Sequence, residues 1–353
     1  MVRNATNLYY PIREAIMSIL PIVDEFVVAL GNCDEDDHTL EEIQRIQSDK
    51  IRIIHTVWDL EKYPHGMVHA HQTDIAKEAC SGDWLFCVQS DEVVHEKYLD
   101  VIKKRCEELL HDEEVEGLLF DYRHFWGDYD HYFISHAWYN KEIRIIRNKK
   151  DIHSWQSAQS FRRIPNFDGI HYWDKRGTFK LKVAKVDAII YHYGWVRPPK
   201  YMQKKNKAFT TIHKGEKAAD EIFKNAETAY NFGDISKLHV QKETQPAVMQ
   251  EMINKFNWAH ELYPNVPLNP TQVHKHEKLK YKILTFFEQR FFGGNQLLAF
   301  KNYILLKRSV TEPQLPISCA QSLRRRWLCR KWFVFVQAFV LPESLVVSLT
   351  CTF

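Results

Sequence analysis

Residues 82–94 read GDWLFCVQSDEVV, and this stretch decides the fold that the sequence predicts. The five apolar residues from Trp84 to Val88 are too few for a typical helix and rich in strand-forming types, which predicts a buried strand. Asp91 and Glu92 follow that strand closely. Because ligands of open α/β sheets bind beyond the carboxyl ends of the strands, these carboxylates are candidate binding residues. The alternative is that the acidic turn only caps the helix that follows it.

The composition limits the class of protein. The chain has 353 residues, of which 45% are hydrophobic and 26% charged, as in a soluble globular protein with one large core or two modest ones. A net charge of +3 is too small to argue for a nucleic-acid partner. The seven cysteines form no CxxC pair, and neither a signal peptide nor a spanning apolar run is evident. We therefore expect a cytoplasmic protein that binds no nucleic acid.

Helical and strand patterns alternate through the first part of the chain. Apolar spacing predicts helices that begin near Ile12, Thr39, His69 and Leu99, and strands at 25–31, 51–55 and 84–88. Such alternation is typical of the α/β class. It predicts a mostly parallel, doubly wound sheet with helices on both faces.

The alternation of helical and strand patterns ends at about residue 115. Further strands are predicted at 117–122, 141–147 and 186–194. Many aromatic residues lie in the segment that joins the first two of these strands and in the segment that follows the second. Trp126, Trp138 and Trp155 are candidate acceptor-binding residues, since aromatic rings are favourable surfaces for sugar rings. The alternative is that these rings pack long loops onto the sheet.

The C-terminal third of the chain offers signals for cellular location but no catalytic motif. We divide the chain into a ligand-binding domain at 1–200, a helical C-terminal region at 201–308 and an irregular, appended tail at 309–353. Residues 278–308 mix basic and large apolar types, which fits either an interfacial helix or a closing helix packed on the core. A basic membrane-binding segment is the alternative for the tail.

The order of these features resembles the nucleotide-sugar domain of family 2 glycosyltransferases, which have the A-type glycosyltransferase fold. The family strand that ends in Asp-x-Asp corresponds here to Gln89 and Asp91, with an amide in place of the first acid. The resemblance implies that both residues contact the donor. It also implies donor contacts for Asn4, in an early turn, and for Asp34, near the nucleotide base. The family's opening strand is almost wholly missing from this chain.

The resemblance further implies a metal site and a base. Asp91, Glu92 and His192 would hold Mn²⁺ or Mg²⁺, which would neutralise the leaving diphosphate. For His192, a core or hydrogen-bonding role is the alternative. Asp168 and Asp174 are the nearest carboxylates for the general base, although both lie in turn-like contexts that favour aspartate for backbone reasons.

The function implied is that of a metal-dependent, hexosyltransferase-like enzyme of bacterial surface-polysaccharide biosynthesis. It would move a sugar from a UDP- or GDP-linked donor to a hydroxyl of a glycan or lipid-linked acceptor, with inversion. A lipid-linked acceptor implies peripheral membrane contact at the inner face of the cytoplasmic membrane. Two alternatives stay open: an inactive nucleotide- or glycan-binding homologue, and a nucleotidyltransferase, which is less favoured because no Gly-rich phosphate loop with a following lysine is present.

Overall fold

The structure is a computed structural model that describes residues 1–262, 274–297 and 299–308, together with the backbone of 332–337. Within these residues the α-helices are α1 (Ile12–Ile19), α2 (Thr39–Gln44), α3 (Met67–Glu78), α4 (Leu99–Glu108), α5 (Pro199–Lys214), α6 (Glu216–Phe223), α7 (Gln250–Asn254) and α8 (Leu279–Phe291). The strands are β1 (Glu25–Leu30), β2 (Ile51–His55), β3 (Trp84–Gln89), β4 (Glu92–Val94), β5 (Gly117–Trp126), β6 (His131–Phe133), β7 (Lys141–Arg147), β8 (Ile152–Trp155), β9 (Ser160–Arg163), β10 (Phe179–Trp195), β11 (His239–Val240), β12 (Tyr303–Leu305) and β13 (Trp332–Gln337).

The strands form a mixed sheet in the order β2-β1-β13-β3-β7-β5-β10-β9-β8. The first four run parallel to one another, but β7 is antiparallel to both β3 and β5. The pairs β10/β9 and β9/β8 are antiparallel as well. The α/β class is therefore confirmed, but a mostly parallel, doubly wound sheet is not, because beyond β3 the antiparallel pairs are mixed with the parallel pair β5/β10.

Helices cover both faces of the first part of the sheet. Alternate residues of a strand point to opposite faces, and in β1 and β3 the residues on both faces are apolar. Phe26 and Phe86 belong to an apolar core that includes the buried face of α1 and residues of α4. Their neighbours Val27 and Leu85 belong to a second core that includes residues of α3. Fully buried strands read as continuous apolar runs, which is why β1 and β3 were recognisable in the sequence.

Strand β13 lies between β1 and β3 and pairs in parallel with each. Its residues belong to the segment 309–353, for which the sequence predicts an irregular appended tail. The strand is a departure from that expectation, while the other residues of 309–353 lie outside the described part of the chain. Near the start of the chain, Val2 forms an isolated parallel bridge with Leu30 of β1. The division at residues 200 and 308 stays a prediction.

A third core is aromatic and joins the C-terminal region to the sheet. Its members include Trp126 on β5, Trp195 at the end of β10 and Trp258. Helix α8 ends at Phe291, and 303–305 form β12 beside β10. None of the helices in the described ranges is long and apolar enough to cross a membrane.

Candidate functional site

Asp91 lies in the turn between β3 and β4, and its side chain is completely buried. Within the described residues neither of its carboxylate oxygens accepts a hydrogen bond. Burial raises the pKa of Asp91 to about 7, and the nearby Lys205 ammonium opposes that rise. A buried carboxylate without hydrogen bonds is costly unless a positive group compensates it. The helix-cap interpretation is not supported, because His95 provides the side-chain cap for the short helix that follows.

Two buried cations flank this carboxylate. The Lys205 Nζ, on α5, lies 3.8 Å from Asp91 Oδ2. Arg197 precedes α5, and its guanidinium donates hydrogen bonds to the carbonyl oxygens of Leu8 and Gly194. Burial lowers the pKa of both cations. Neither residue was predicted from the sequence.

His192 faces the same carboxylate, and a second histidine fixes its tautomer. His124 Nε2 lies 2.7 Å from the Tyr139 carbonyl oxygen, so this nitrogen is the donor. Burial lowers the pKa of His124 to about 4, so the ring is neutral and accepts at Nδ1 from His192 Nδ1–H, 2.9 Å away. Burial also lowers the pKa of His192 well below its ordinary value. Its unprotonated Nε2 therefore faces Asp91 Oδ2 at 3.7 Å.

Gly194 makes this close arrangement feasible. A Cβ atom at that position would lie 2.5 Å from His192 Cε1 and 2.9 Å from Asp91 Oδ2. Real Cβ atoms do not approach other atoms so closely, so any larger residue would displace one of these side chains. The Gly194 carbonyl oxygen also accepts hydrogen bonds from both cations.

Glu92 was predicted as a metal ligand, and in the structure its side chain has protein partners instead. Its carboxylate is buried and forms a bidentate ion pair with Arg144, with both N–O distances at 2.8 Å. The Tyr122 hydroxyl donates a third hydrogen bond, also at 2.8 Å. Gln89, predicted to bind the donor, lies in the same network: its backbone N–H donates to Glu92 Oε2 at 3.1 Å. Both oxygens of Glu92 are thus used by the protein.

The predicted Mn²⁺ or Mg²⁺ therefore does not fit this donor set. Asp91 and His192 present two ligand atoms to each other, but Glu92 points into a different network. Among the residues that the structure describes, no three His, Cys, Asp or Glu side chains form a group that could hold a metal ion. Hard divalent cations prefer several oxygen ligands, and the two cations beside Asp91 would repel one.

Asn4 and Asp34, two of the residues predicted to contact the donor, lie together in the structure. The Asn4 side-chain amide donates to Asp34 Oδ2 at 2.8 Å, and the Asp34 backbone N–H donates to Asn4 Oδ1 at 2.8 Å. Asn4 has a positive φ of 53°, which asparagine tolerates better than most residues. Arg3 adds an ion pair, with an N–O distance of 3.6 Å to Asp34.

These residues line a cavity of about 190 Å³. Its wall includes residues from both halves of the site, among them Arg3, Asn4, Asp34, Tyr10, Trp58, His69 and Lys205. Trp58 approaches the backbone closely because Gly31 has no Cβ, which would lie 2.5 Å from the indole nitrogen. Of these residues only Asn4 and Asp34 were predicted from the sequence as site residues. Lys205 had a signal: Met202 and Phe209 lie three positions before and four after it, on the buried face of α5.

The three candidate acceptor-binding tryptophans are all buried. Trp126 is fully enclosed in the aromatic core and donates to the Phe232 carbonyl oxygen. Trp155 donates to the Asp174 carbonyl oxygen and stacks under Arg162, whose guanidinium carbon is 3.7 Å from the ring centroid. This burial favours the packing interpretation. Trp138 differs, since it also lines a second cavity of about 180 Å³ together with His124.

The two candidate bases are exposed. Asp168 accepts hydrogen bonds from the backbone N–H groups of Ile170 and His171 and pairs with the His171 ring. These hydrogen bonds lower the pKa of Asp168, as expected for an aspartate that stabilises its own turn. Neither Asp168 nor Asp174 belongs to the described residues that line the two cavities. Their role as general base stays a prediction.

No family model matches the sequence, and no curated protein matches it. Matches to solved structures include S. aureus TarS 1-349, a teichoic acid glycosyltransferase. The match has 13% identity and a TM-score of 0.28, and it covers 62% of this chain and 71% of that chain. So loose a superposition assigns neither fold nor activity to this chain, whose function has to be inferred from its own residues.

Proposed function

We propose that the protein is a glycosyltransferase that moves a sugar from a nucleotide-linked donor to a hydroxyl of a glycan or lipid-linked acceptor. The observation that carries the proposal is one cavity lined by both the Asn4–Asp34 pair and Lys205. A nucleotide sugar carries N–H donors on its base and negative charge on its diphosphate. A carboxylate and an ammonium group on one cavity wall complement these two features.

The acid also favours particular nucleotides. An ionised carboxylate only accepts hydrogen bonds. Uracil and guanine each present a ring N–H on the base edge, whereas the corresponding ring nitrogen of adenine and cytosine is an acceptor. Asp34 therefore supports UDP- or GDP-linked donors over those with the other two bases. Trp58, which lies on the same wall, offers an aromatic surface near that edge.

The reaction would be a single displacement with inversion. The acceptor hydroxyl oxygen bonds to the anomeric carbon while the bond from that carbon to the diphosphate oxygen breaks. The electron pair leaves with the nucleoside diphosphate, and the hydroxyl proton passes to a base. Asp168 and Asp174 stay the sequence-based candidates for that base. Lys205 would attract the negative charge that develops on the leaving group.

Helix α8 supports peripheral contact with a membrane that carries the acceptor. Leu279, Phe286 and Phe291 are 72%, 62% and 64% exposed. Exposed basic residues accompany them: Lys278, Lys280, Lys282 and Arg290. An exposed apolar surface with adjacent basic side chains suits the surface of a bilayer that contains anionic lipids. The inner face of the cytoplasmic membrane would provide such a surface.

A second candidate is a protein that binds nucleotides or glycans without transferring a sugar. Two observations favour it: Asp168 and Asp174 do not line the described cavities, and Asp91 is completely buried. A binding protein needs neither a base nor an exposed acid. Release of free nucleotide from a panel of UDP- and GDP-sugars, with glycan acceptors added, separates the two candidates.

Binding of the nucleotide is the first experiment. Calorimetric titration of UDP, GDP, ADP and CDP should give binding for the first two only. Asp34→Asn should weaken that binding about tenfold, since it removes a charged hydrogen-bond acceptor. Glu35→Gln is the matched control, because this neighbouring acid is exposed and is not among the residues that line the cavity. Absence of binding by every nucleotide would contradict the proposal.

A further inference from the structure

Lys205 is a buried cation on the wall of the donor cavity. Only 1% of the residue is exposed, although its side chain lines the cavity. Burial of an ammonium group is expensive unless hydrogen bonds and a counter-charge compensate it. A lysine kept in such a position is therefore expected to meet a negative charge there.

The partners of Lys205 within the protein leave room for such a ligand. An ammonium group has three N–H donors. In the described part of the chain, one is used by the Gly194 carbonyl oxygen. Asp91 Oδ2 is 3.8 Å away, which is an ion-pair distance but longer than a hydrogen bond. The ammonium also lies 5.4 Å from the ring centroids of Tyr10 and Trp195, which contact it without accepting a conventional hydrogen bond.

The local charges leave a positive excess. Glu92 is neutralised by Arg144 at 2.8 Å, so it does not compensate the cations of the cavity wall. Lys205 and Arg197 then have at most the one negative charge of Asp91 beside them, and burial disfavours that charge. Arg197 contributes from behind the wall, since it bonds to the carbonyl oxygen of Leu8, which lines the cavity. An anion that enters the cavity would balance this excess, whereas a divalent cation would increase it.

We infer that the Lys205 ammonium binds the diphosphate of the donor directly, in place of the divalent cation that the sequence predicts. Asp91 then acts as a positioning residue that holds Lys205 from the side opposite the ligand. This explains why Lys205 lines the cavity, whereas Asp91 is buried and does not belong to the lining residues. The inference rests on the proposed function, because it takes a nucleoside diphosphate as the ligand.

The test compares ligands that differ only in the diphosphate. Affinities for UDP and uridine, and for GDP and guanosine, are measured by calorimetry in EDTA and in Mn²⁺. We expect the wild-type protein to bind the diphosphates equally tightly in both buffers. Lys205→Met should weaken diphosphate binding at least about tenfold and leave nucleoside binding unchanged. A merely structural defect would weaken both classes of ligand.

Two further variants control for composition and folding. Lys204→Met removes an exposed lysine from the same helix and should change neither affinity. If Lys205→Met does not fold, the double variant Asp91→Asn with Lys205→Met removes both charges of the pair together and should show the same selective loss. Asp91→Asn alone should lower the ratio of diphosphate to nucleoside affinity, because the ammonium is no longer held.

The outcomes separate the two proposals. Diphosphate binding that needs Mn²⁺ and disappears in EDTA would overturn the inference and leave the donor site standing. An unchanged ratio of diphosphate to nucleoside affinity in Lys205→Met would do the same. If the wild-type protein binds neither class of ligand in either buffer, the proposed function itself fails, and the inference with it.

Discussion

Replacement of Arg144 by methionine tests whether Glu92 is a structural residue. Arg144 is 1% exposed and Glu92 is fully buried, and the two form a bidentate pair at 2.8 Å. Methionine keeps much of the length of the arginine side chain but removes the charge. Glu92 would then keep only the Tyr122 hydroxyl and the Gln89 backbone N–H as partners.

The magnitude is set by the charge that remains buried. Removal of one partner of a buried ion pair leaves an uncompensated charge and typically lowers the free energy of unfolding by about 3–5 kcal/mol. Glu92→Gln should be costly for the same reason, since it leaves the buried guanidinium of Arg144 unpaired. The double variant removes both charges, so its loss should be smaller than the sum of the two single losses.

The measurement is urea denaturation of the wild type, both single variants and the double variant. Arg45→Met is a matched control because its partner Glu42 forms an exposed pair with it, for which about 0–1 kcal/mol is expected. If Arg144→Met costs no more than this control, the buried-pair reasoning is refuted. If Glu92→Gln instead lowers the affinity for Mn²⁺ without loss of stability, Glu92 is a metal ligand after all.

Three other perturbations probe pH dependence, the C-terminal strand and the membrane contact. Burial lowers the pKa of His213 from 6.5 to about 4, so its contribution to the free energy of unfolding is complete above pH 6.5 and falls by about 3 kcal/mol as the pH drops to 4. In urea titrations, His213→Phe should therefore lose less stability in acid than the wild type, and an equal loss would contradict this. Deletion of residues 309–353 removes β13, which pairs with β1 and β3, so we expect a lower melting temperature. An unchanged melting curve would show that the sheet is equally stable without this strand. The double variant Phe286→Ser with Phe291→Ser should reduce co-sedimentation with anionic vesicles, since each of these exposed phenylalanines would contribute about 1.5–3 kcal/mol to binding if the bilayer buried it. Unchanged binding would favour the interpretation that α8 only packs on the core.

Much of the local structure was predictable from the sequence because its determinants are local. The buried run that forms β3 and the spaced apolar residues of α1 located both elements to within a residue or two. Strand direction was not predictable in the same way. The antiparallel pairing of β3 with β7 depends on contacts between segments about 60 residues apart, which no local pattern records.

The site shows the same limit at the level of side chains. Asp91 and Glu92 are adjacent, and the family resemblance implied that both bind one cation. Asp91 lies in the turn that precedes β4, whereas Glu92 is the first residue of that strand, so the two side chains belong to different local structures. One acid therefore turns toward Lys205 and the other toward Arg144. Adjacency in the sequence therefore does not by itself place two acids in one site.

Lys205 presents the converse case, in which a local pattern carried information that was not used. Its position between Met202 and Phe209 places it on the buried face of α5. A lysine on such a face requires a counter-charge, because an isolated buried ammonium group is too costly to retain. The sequence could therefore have predicted that Lys205 has an acidic partner or an anionic ligand. It could not have chosen Asp91 as that partner, since only the packing of α5 against the β3–β4 turn brings the two together.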